Sequence, residues 1–126
     1  MKIILVDAWN TFVTDSWINK GMYELLETFP NRKIILTNAD SEKQKKLWLV
    51  NLPYELFTLN FNPEKSQWGY YEKMLEHFWL TSEDVIYFEH NEEAVEKARE
   101  TWIITLYYDK DKKDLVELEK FLKDNL

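Results

Sequence analysis

Short apolar runs alternate along this chain with stretches in which apolar residues recur at helical spacing. The short runs are rich in β-branched and aromatic residues and end at polar ones, a pattern typical of strands. They predict strands over residues 3–6, 33–36, 55–59, 85–88 and 103–107. Because several of these runs are almost continuously apolar, we expect them to be buried on both faces of a sheet.

Helices are predicted between the strands. Apolar residues at intervals of three and four predict helices over residues 18–29, 71–78 and 115–126. Ser41 and Asn91 are predicted to cap two further helices, because each precedes acidic residues that suit the positive end of a helix. The helix that begins at Ser41 is expected to extend to about Val50.

This order of elements predicts an α/β fold. Strands that alternate with helices form a parallel sheet with helices on both faces. We therefore expect residues 1–126 to form a single Rossmann-like domain of three layers, with five parallel strands and no cap domain. In such sheets ligands bind beyond the carboxyl ends of the strands. The residues at those ends are therefore the candidates for chemistry.

The charge of the chain argues against partners with a phosphate backbone. It has 16 basic and 23 acidic residues, a net charge of −7, so most of its surface would repel nucleic acid. It contains no cysteine, which excludes disulfides and thiolate zinc sites. The apolar run before Asp7 is too short for a signal peptide or a membrane span. We therefore expect a cytoplasmic protein that does not associate with membranes.

Side chains capable of covalent chemistry, anion binding and metal binding follow the predicted strands. In chain order they are Asp7, Thr11, Thr37, Asn38, Lys65, Glu89, His90 and Glu93. A carboxylate can attack phosphorus or carbon and form a covalent intermediate. A hydroxyl and an ammonium group can hold the oxygens of the transferred group, and acidic side chains can bind Mg²⁺.

Four segments in this order resemble the motifs of the haloacid dehalogenase-like (HAD) superfamily. They are VDAWNT at residues 6–11, ILTN at 35–38, NPEK at 62–65 and VIYFEHNEEAV at 85–95. The resemblance covers essentially the whole chain, and each segment stands at the end of a predicted strand or ahead of the next helix. It implies an open active site, because no segment is long enough to form a cap.

The resemblance assigns a role to most of the candidate residues. Asp7 corresponds to the nucleophile and Lys65 to the lysine that orients it. Thr11, Thr37 and Asn38 belong to the segments that bind the transferred phosphoryl group. In the fourth motif, Glu89 and Glu93 correspond to acids that bind Mg²⁺ together with Asp7.

Two of the motifs depart from the family pattern. Phosphatases of the family carry a second aspartate, the general acid and base, two residues after the nucleophile, where this chain has Trp9. The usual aspartate of the fourth motif is Glu89, and the next residue is His90. His90 is the candidate proton carrier in place of the missing aspartate, since its unperturbed pKa is about 6.5. An exposed or capping role for His90 is the alternative.

Further departures concern the dehalogenase branch and three tryptophans. Dehalogenases carry an aromatic residue where Trp9 stands, but they need a cap domain with an arginine, for which the chain has no room. Trp79 and Trp102 stand at turns where the family often has glycine. Unusual codon reading, engineering and drift are the alternatives that the sequence leaves open for these tryptophans.

These observations leave two hypotheses for function. The first is a Mg²⁺-dependent phosphatase that acts through an aspartyl-phosphate on a large or exposed substrate, such as a phosphorylated macromolecule. The alternative is a catalytically weakened or inactive HAD-fold binding protein. A phosphoacceptor receiver domain is excluded because no aspartate follows the third strand. A dinucleotide-binding domain is excluded because a chain with two glycines has no Gly-x-Gly-x-x-Gly motif.

Overall fold

A computed structural model describes all 126 residues of the chain. The strands are β1 (Ile3–Asp7), β2 (Val13–Thr14), β3 (Trp17–Ile18), β4 (Lys33–Thr37), β5 (Glu55–Thr58), β6 (Val85–Glu89) and β7 (Ile104–Tyr107). The helices are α1 (Lys20–Glu27), α2 (Ser41–Lys46), α3 (Tyr70–His77), α4 (Glu92–Glu100) and α5 (Leu115–Asn125), with a short 3₁₀ helix at Ser82–Asp84. Five strands form one parallel sheet in the order β5-β4-β1-β6-β7. The predicted α/β class and the five-stranded parallel sheet are therefore confirmed.

The helices cover both faces of this sheet, as predicted. One cluster of buried residues joins one face to α1 and α5 through Met22, Leu26, Leu118 and Leu122. A second cluster joins the other face to α3 and α4. Alternate residues of β1 belong to different clusters, because successive side chains of a strand point to opposite faces. This explains why the strands are apolar without interruption.

Both ends of α2 differ from the prediction. Asp40, and not Ser41, caps α2, since its side chain accepts a hydrogen bond from the Lys43 amide, and the helix ends at Lys46. Asn91 caps α4, as predicted, by accepting a hydrogen bond from the Ala94 amide. At α2 the prediction failed because Asp40, one residue before Ser41, is also a good cap, and Asp and Ser are almost equally favourable at this position.

A short hairpin replaces the start of the first predicted helix. Ile18 lies in β3 and pairs with Val13 of β2, and the helix begins only after Asn19, whose side chain caps it. The apolar residue at position 18 fitted the helical spacing, but it packs against the first core cluster from a strand. None of the helices has both the length and the apolar character needed to cross a membrane.

The topology brings two strand ends together at the centre of the sheet. From β1 the chain proceeds outward through β4 and β5, and then returns to the other side of β1 to form β6 and β7. β1 and β6 are therefore neighbours where the direction of winding reverses, which is where open α/β sheets bind ligands. Asp7 ends β1 and Glu89 ends β6.

Candidate active site

Asp7 is buried at the carboxyl end of β1, and the turn that follows brings Thr11 back to it. The amide of Thr11 donates to the carbonyl oxygen of Ala8, and that of Phe12 donates to the carbonyl oxygen of Asp7. Asn10 adopts a left-handed conformation in this turn (φ 66°), which asparagine tolerates better than most residues. As a result the Thr11 hydroxyl donates a hydrogen bond of 2.6 Å to Oδ2 of Asp7.

Lys65 joins the two acidic strand ends. Its Nζ lies 2.7 Å from Oδ1 of Asp7 and 2.7 Å from Oε1 of Glu89. It also donates to the carbonyl oxygen of Leu36, at 3.2 Å. The backbone of the same residue is held in place, because its amide donates to Oδ1 of Asn38 at 2.6 Å. All three charged groups are buried, so their contacts are shielded from solvent.

Two buried tyrosines, Tyr87 and Tyr71, hold Glu89 through their hydroxyl groups. The hydroxyl of Tyr87 donates to Oε1 of Glu89, and the hydroxyls of Tyr71 and Tyr87 lie 3.4 Å apart. Oε2 of Glu89 accepts from the amide of Asn91 at 3.0 Å. Sequence reasoning missed Tyr87, although a signal was present: residues two apart in a strand share a face.

His90 lies against both carboxylates. Its ring Nδ1 donates to Oδ2 of Asp7 and lies 3.3 Å from Oε2 of Glu89, and its amide donates to Oδ2 of Asp7 at 3.2 Å. Thr11 Oγ1 is 3.4 Å from the same ring nitrogen. The side chain is one-fifth exposed, and the other ring nitrogen, Nε2, makes no hydrogen bond to the protein.

The charges of this cluster fix the protonation of its members. Burial by itself would raise the pKa of Asp7, but the Lys65 ammonium and the hydrogen bond from His90 hold that pKa well below its usual range. Burial would lower the pKa of Lys65, but the charges of Asp7 and Glu89 raise it well above its usual value. Burial opposes protonation of His90 too, yet hydrogen bonds to Asp7 and Glu89 raise its pKa to about 9. Near neutral pH the ring is therefore a cation.

A cavity of about 280 Å³ opens onto this cluster. Its lining includes Asp7, Lys65, Glu89, His90, Thr37, Asn38 and Trp9. The hydroxyl oxygen of Thr37 accepts a hydrogen bond from the amide of Ala39 at 3.1 Å, so its own proton remains available. A volume of this size admits a small anion together with part of the molecule that carries it.

Most of the residues singled out from the sequence meet here, and one does not. Asp7, Thr11, Lys65, Glu89 and His90 contact one another directly. Thr37 and Asn38 line the cavity beside them. Glu93, by contrast, is exposed in the first turn of α4 and stands outside the cluster of potential metal ligands.

The cluster does not fit Mg²⁺ as it is arranged. One ligand atom each from Asp7, Glu89 and His90 lies within 4.8 Å of the others. However, each of the four carboxylate oxygens already accepts a hydrogen bond from a protein donor. The third group is a ring nitrogen that donates a proton, whereas Mg²⁺ prefers oxygen ligands in nearly octahedral geometry.

No family model matches the chain, and neither a curated protein nor a solved structure matches it.

Proposed function

We propose that this chain is a HAD-like hydrolase in which Asp7 attacks the phosphorus of a phosphomonoester and forms an aspartyl-phosphate. The observation that carries the proposal is the cluster of Asp7, Lys65, Glu89 and His90 at the reversal point of the sheet, open to a cavity. A structural ion pair would not need to face a cavity. Buried titratable groups with shifted pKa values in a cleft are typical of active sites.

The residues of the cluster divide the chemistry among them. Asp7 is ionised, as a nucleophile must be, because Lys65 and His90 hold its pKa low. Lys65 keeps the carboxylate in position, and Thr37 and Asn38 are placed to bind phosphoryl oxygens. His90 is the candidate acid and base, since its ring is protonated and its Nε2 is not used by the protein.

The reaction balances over two steps. First, an oxygen of Asp7 forms a bond to phosphorus, the bond from phosphorus to the leaving oxygen breaks, and His90 gives its proton to that oxygen. Second, water attacks the aspartyl-phosphate at phosphorus, the bond to Asp7 breaks, and His90 takes the proton that water releases. The products are an alcohol and inorganic phosphate, and both side chains return to their original state.

The open cavity and the acidic surface bear on the substrate. No cap covers the cavity, and the chain carries a net charge of −7. A substrate with one exposed phosphoryl group on a large molecule would suit this site. The net negative charge of the chain disfavours a nucleic-acid backbone as substrate.

The decisive variant is Asp7→Asn, which removes the nucleophile and keeps the size of the side chain. We expect hydrolysis of a generic aryl phosphate to fall by about 10³-fold or more, to the uncatalysed background, because the amide of asparagine cannot act as the nucleophile. The assay is run with excess EDTA and again with millimolar MgCl₂. Asp111→Asn is the matched control, since Asp111 is exposed and lies outside the cluster.

Activity of Asp7→Asn equal to that of the unchanged protein would refute the proposed role of Asp7. Circular dichroism of both variants shows whether they are folded. Absence of activity in the unchanged protein would favour the second candidate, a binding domain that retained the fold. The observation that favours this candidate is Trp9 at the position where phosphatases of the HAD family carry their acid. Stabilisation by beryllofluoride, which mimics an aspartyl-phosphate, would show that Asp7 still has reactive geometry.

A further inference from the structure

The ring of His90 occupies the place between the two acidic strand ends. Its Nδ1 donates to Oδ2 of Asp7 and lies 3.3 Å from Oε2 of Glu89. A divalent cation shared by these carboxylates would have to lie close to the same two oxygens. The ring and the cation cannot both be there.

All four oxygens of the two carboxylates have hydrogen-bond donors without a metal. Lys65 Nζ donates to Oδ1 of Asp7 and to Oε1 of Glu89, at 2.7 Å each. Oδ2 of Asp7 accepts from the Thr11 hydroxyl, and Oε2 of Glu89 accepts from the amide of Asn91. A divalent cation would have to replace these hydrogen bonds at buried oxygens and displace the ring of His90.

We propose that the imidazole of His90 takes the place of a divalent cation, so that this site neither binds Mg²⁺ nor depends on it. Catalysis without Mg²⁺ rests on the proposed phosphatase function, whereas the lack of Mg²⁺ binding does not. The ring places a hydrogen-bond donor against the nucleophile, so it orients this carboxylate as a metal ion does in phosphoryl transfer.

Mg²⁺ binding is the test, measured by calorimetry and by thermal unfolding in a MgCl₂ titration. We expect no binding heat and no shift of the melting temperature at millimolar Mg²⁺ for the unchanged protein. His90→Asp removes the ring and adds an oxygen ligand, and we expect it to gain saturable binding with an increase in melting temperature. His90→Ala opens the same space without adding a charge and serves as the second variant if His90→Asp does not fold.

The outcomes separate this inference from the proposed function. Saturable Mg²⁺ binding by the unchanged protein, lost in Asp7→Asn, would overturn the inference whether or not the protein is a phosphatase. Failure of both His90 variants to gain binding would overturn it as well, because the ring would not be what excludes the metal. An inactive protein that shows the expected binding pattern would refute the phosphatase and leave the inference on binding intact.

The tryptophans of this chain have an unusual backbone conformation, which is independent of the active-site cluster. Four of the six have positive φ angles: Trp17 (74°), Trp48 (60°), Trp79 (60°) and Trp102 (68°). In this left-handed region the Cβ atom of an L-residue approaches the carbonyl oxygen that follows it. Glycine adopts the region freely, whereas a bulky aromatic residue there is an outlier.

Three of these tryptophans stand at the same position of the same motif. Each of them directly follows the C-cap residue of a helix: Trp48 at the end of α2, Trp79 at the end of α3 and Trp102 at the end of α4. Each donates its amide to the carbonyl three residues earlier, and the next amide donates to the carbonyl five residues before itself. For Trp79 the first bond measures 3.1 Å, and the second, from Leu80 to Leu75, measures 2.9 Å. This is the Schellman motif, whose left-handed position is usually glycine.

The fourth, Trp17, stands just after the turn of the β2–β3 hairpin. Its pairing partner in the hairpin is Thr14, and Asp15 and Ser16 form the turn between them. Hairpins whose turn is followed by a left-handed residue place glycine at that position. All four tryptophans therefore occupy positions at which glycine is the usual residue.

The four indoles contribute nothing to the core. Trp79 is 94% exposed and Trp102 is 85% exposed, and none of the four belongs to a hydrophobic cluster or stacks on another ring. The chain has two glycines, where average usage predicts roughly nine for this length. One explanation would account both for the low number of glycines and for the tryptophans at left-handed positions.

We infer that positions 17, 48, 79 and 102 are glycine positions of this fold, and that the codon represented there by tryptophan is decoded as glycine in the cells that make the protein. The test is peptide mass mapping of the protein purified from those cells, together with the DNA sequence of the four codons. We expect the mass of glycine at all four positions, encoded by one codon. The mass of tryptophan at these positions would overturn the inference.

Discussion

Replacing Lys65 by methionine is expected to lower the free energy of unfolding by about 3–5 kcal/mol, the usual result of leaving a buried charge without its partner. Asp7 and Glu89 would then face each other with their shared ammonium group removed. Because a domain is typically stable by only about 5–15 kcal/mol, this variant would be close to unfolding. Urea denaturation followed by tryptophan fluorescence measures the change.

A neutral triple variant is the matched control for this experiment. Asp7→Asn and Glu89→Gln added to Lys65→Met remove all three buried charges, and we expect most of the lost stability to return. Stability of Lys65→Met equal to that of the unchanged protein would mean that the ion pairs do not form in solution.

The pH dependence of the free energy of unfolding independently checks the ion pair between Lys65 and Asp7. Since the pKa of Asp7 is lowered in the folded state, its stabilising contribution is present above the unfolded value of about 3.9 and is lost as the pH falls below it. Lys65 supplies much of that lowering, so the acid-induced loss should be smaller in Lys65→Met.

The variant with glycine at positions 17, 48, 79 and 102 is expected to be more stable than the tryptophan-containing chain by roughly 2–4 kcal/mol. Each left-handed conformation costs a residue with a Cβ atom about 1–2 kcal/mol. Glycine avoids this cost, but it loses more conformational entropy on folding, which offsets the gain by about 0.5–1 kcal/mol. The net gain is therefore roughly 0.5–1 kcal/mol at each position. Urea denaturation with an unchanged slope would show that only stability has changed.

Trp68→Gly is the matched control, because Trp68 is exposed but does not have a positive φ. Its ring lies 4.6 Å from the Lys97 ammonium, so we expect this substitution to give no gain and a small loss. A fourfold variant no more stable than the original chain would mean that the left-handed geometry at these positions is not strained. If single variants at positions 48, 79 and 102 gain stability and the variant at position 17 does not, the left-handed geometry is strained at the helix ends but not at the hairpin.

The fold could be predicted from the sequence because its signals are local. Short β-branched runs and helical spacing reflect which faces each element buries, and this depends on residues near one another in the chain. The boundaries shifted where local signals competed. Asp40 and Ser41 were both competent caps, and the backbone selected Asp40. The apolar pattern included Ile18 in a helix, but the hairpin needed it as a strand residue.

The candidate site could be predicted only in part. The rule that ligands bind at strand ends located Asp7, Thr37 and Glu89, since parallel strands end at one edge of the sheet. The resemblance of residues 85–95 to the fourth HAD motif placed Glu93 with the metal-binding acids. In the structure it is exposed in the first turn of α4, because a residue's position within a helix decides which way its side chain points.

By itself the sequence determined the layers of the molecule, the strands and the edge at which chemistry is expected. These features depend on the burial and periodicity of residues that are close together in the chain. Only the tertiary structure decided which atoms meet. The bridge of Lys65 between Asp7 and Glu89, and the position of the His90 ring against both, join residues far apart in the chain. The left-handed angles of the four tryptophans also became visible only there, since φ at a helix end is set by the path the chain takes next.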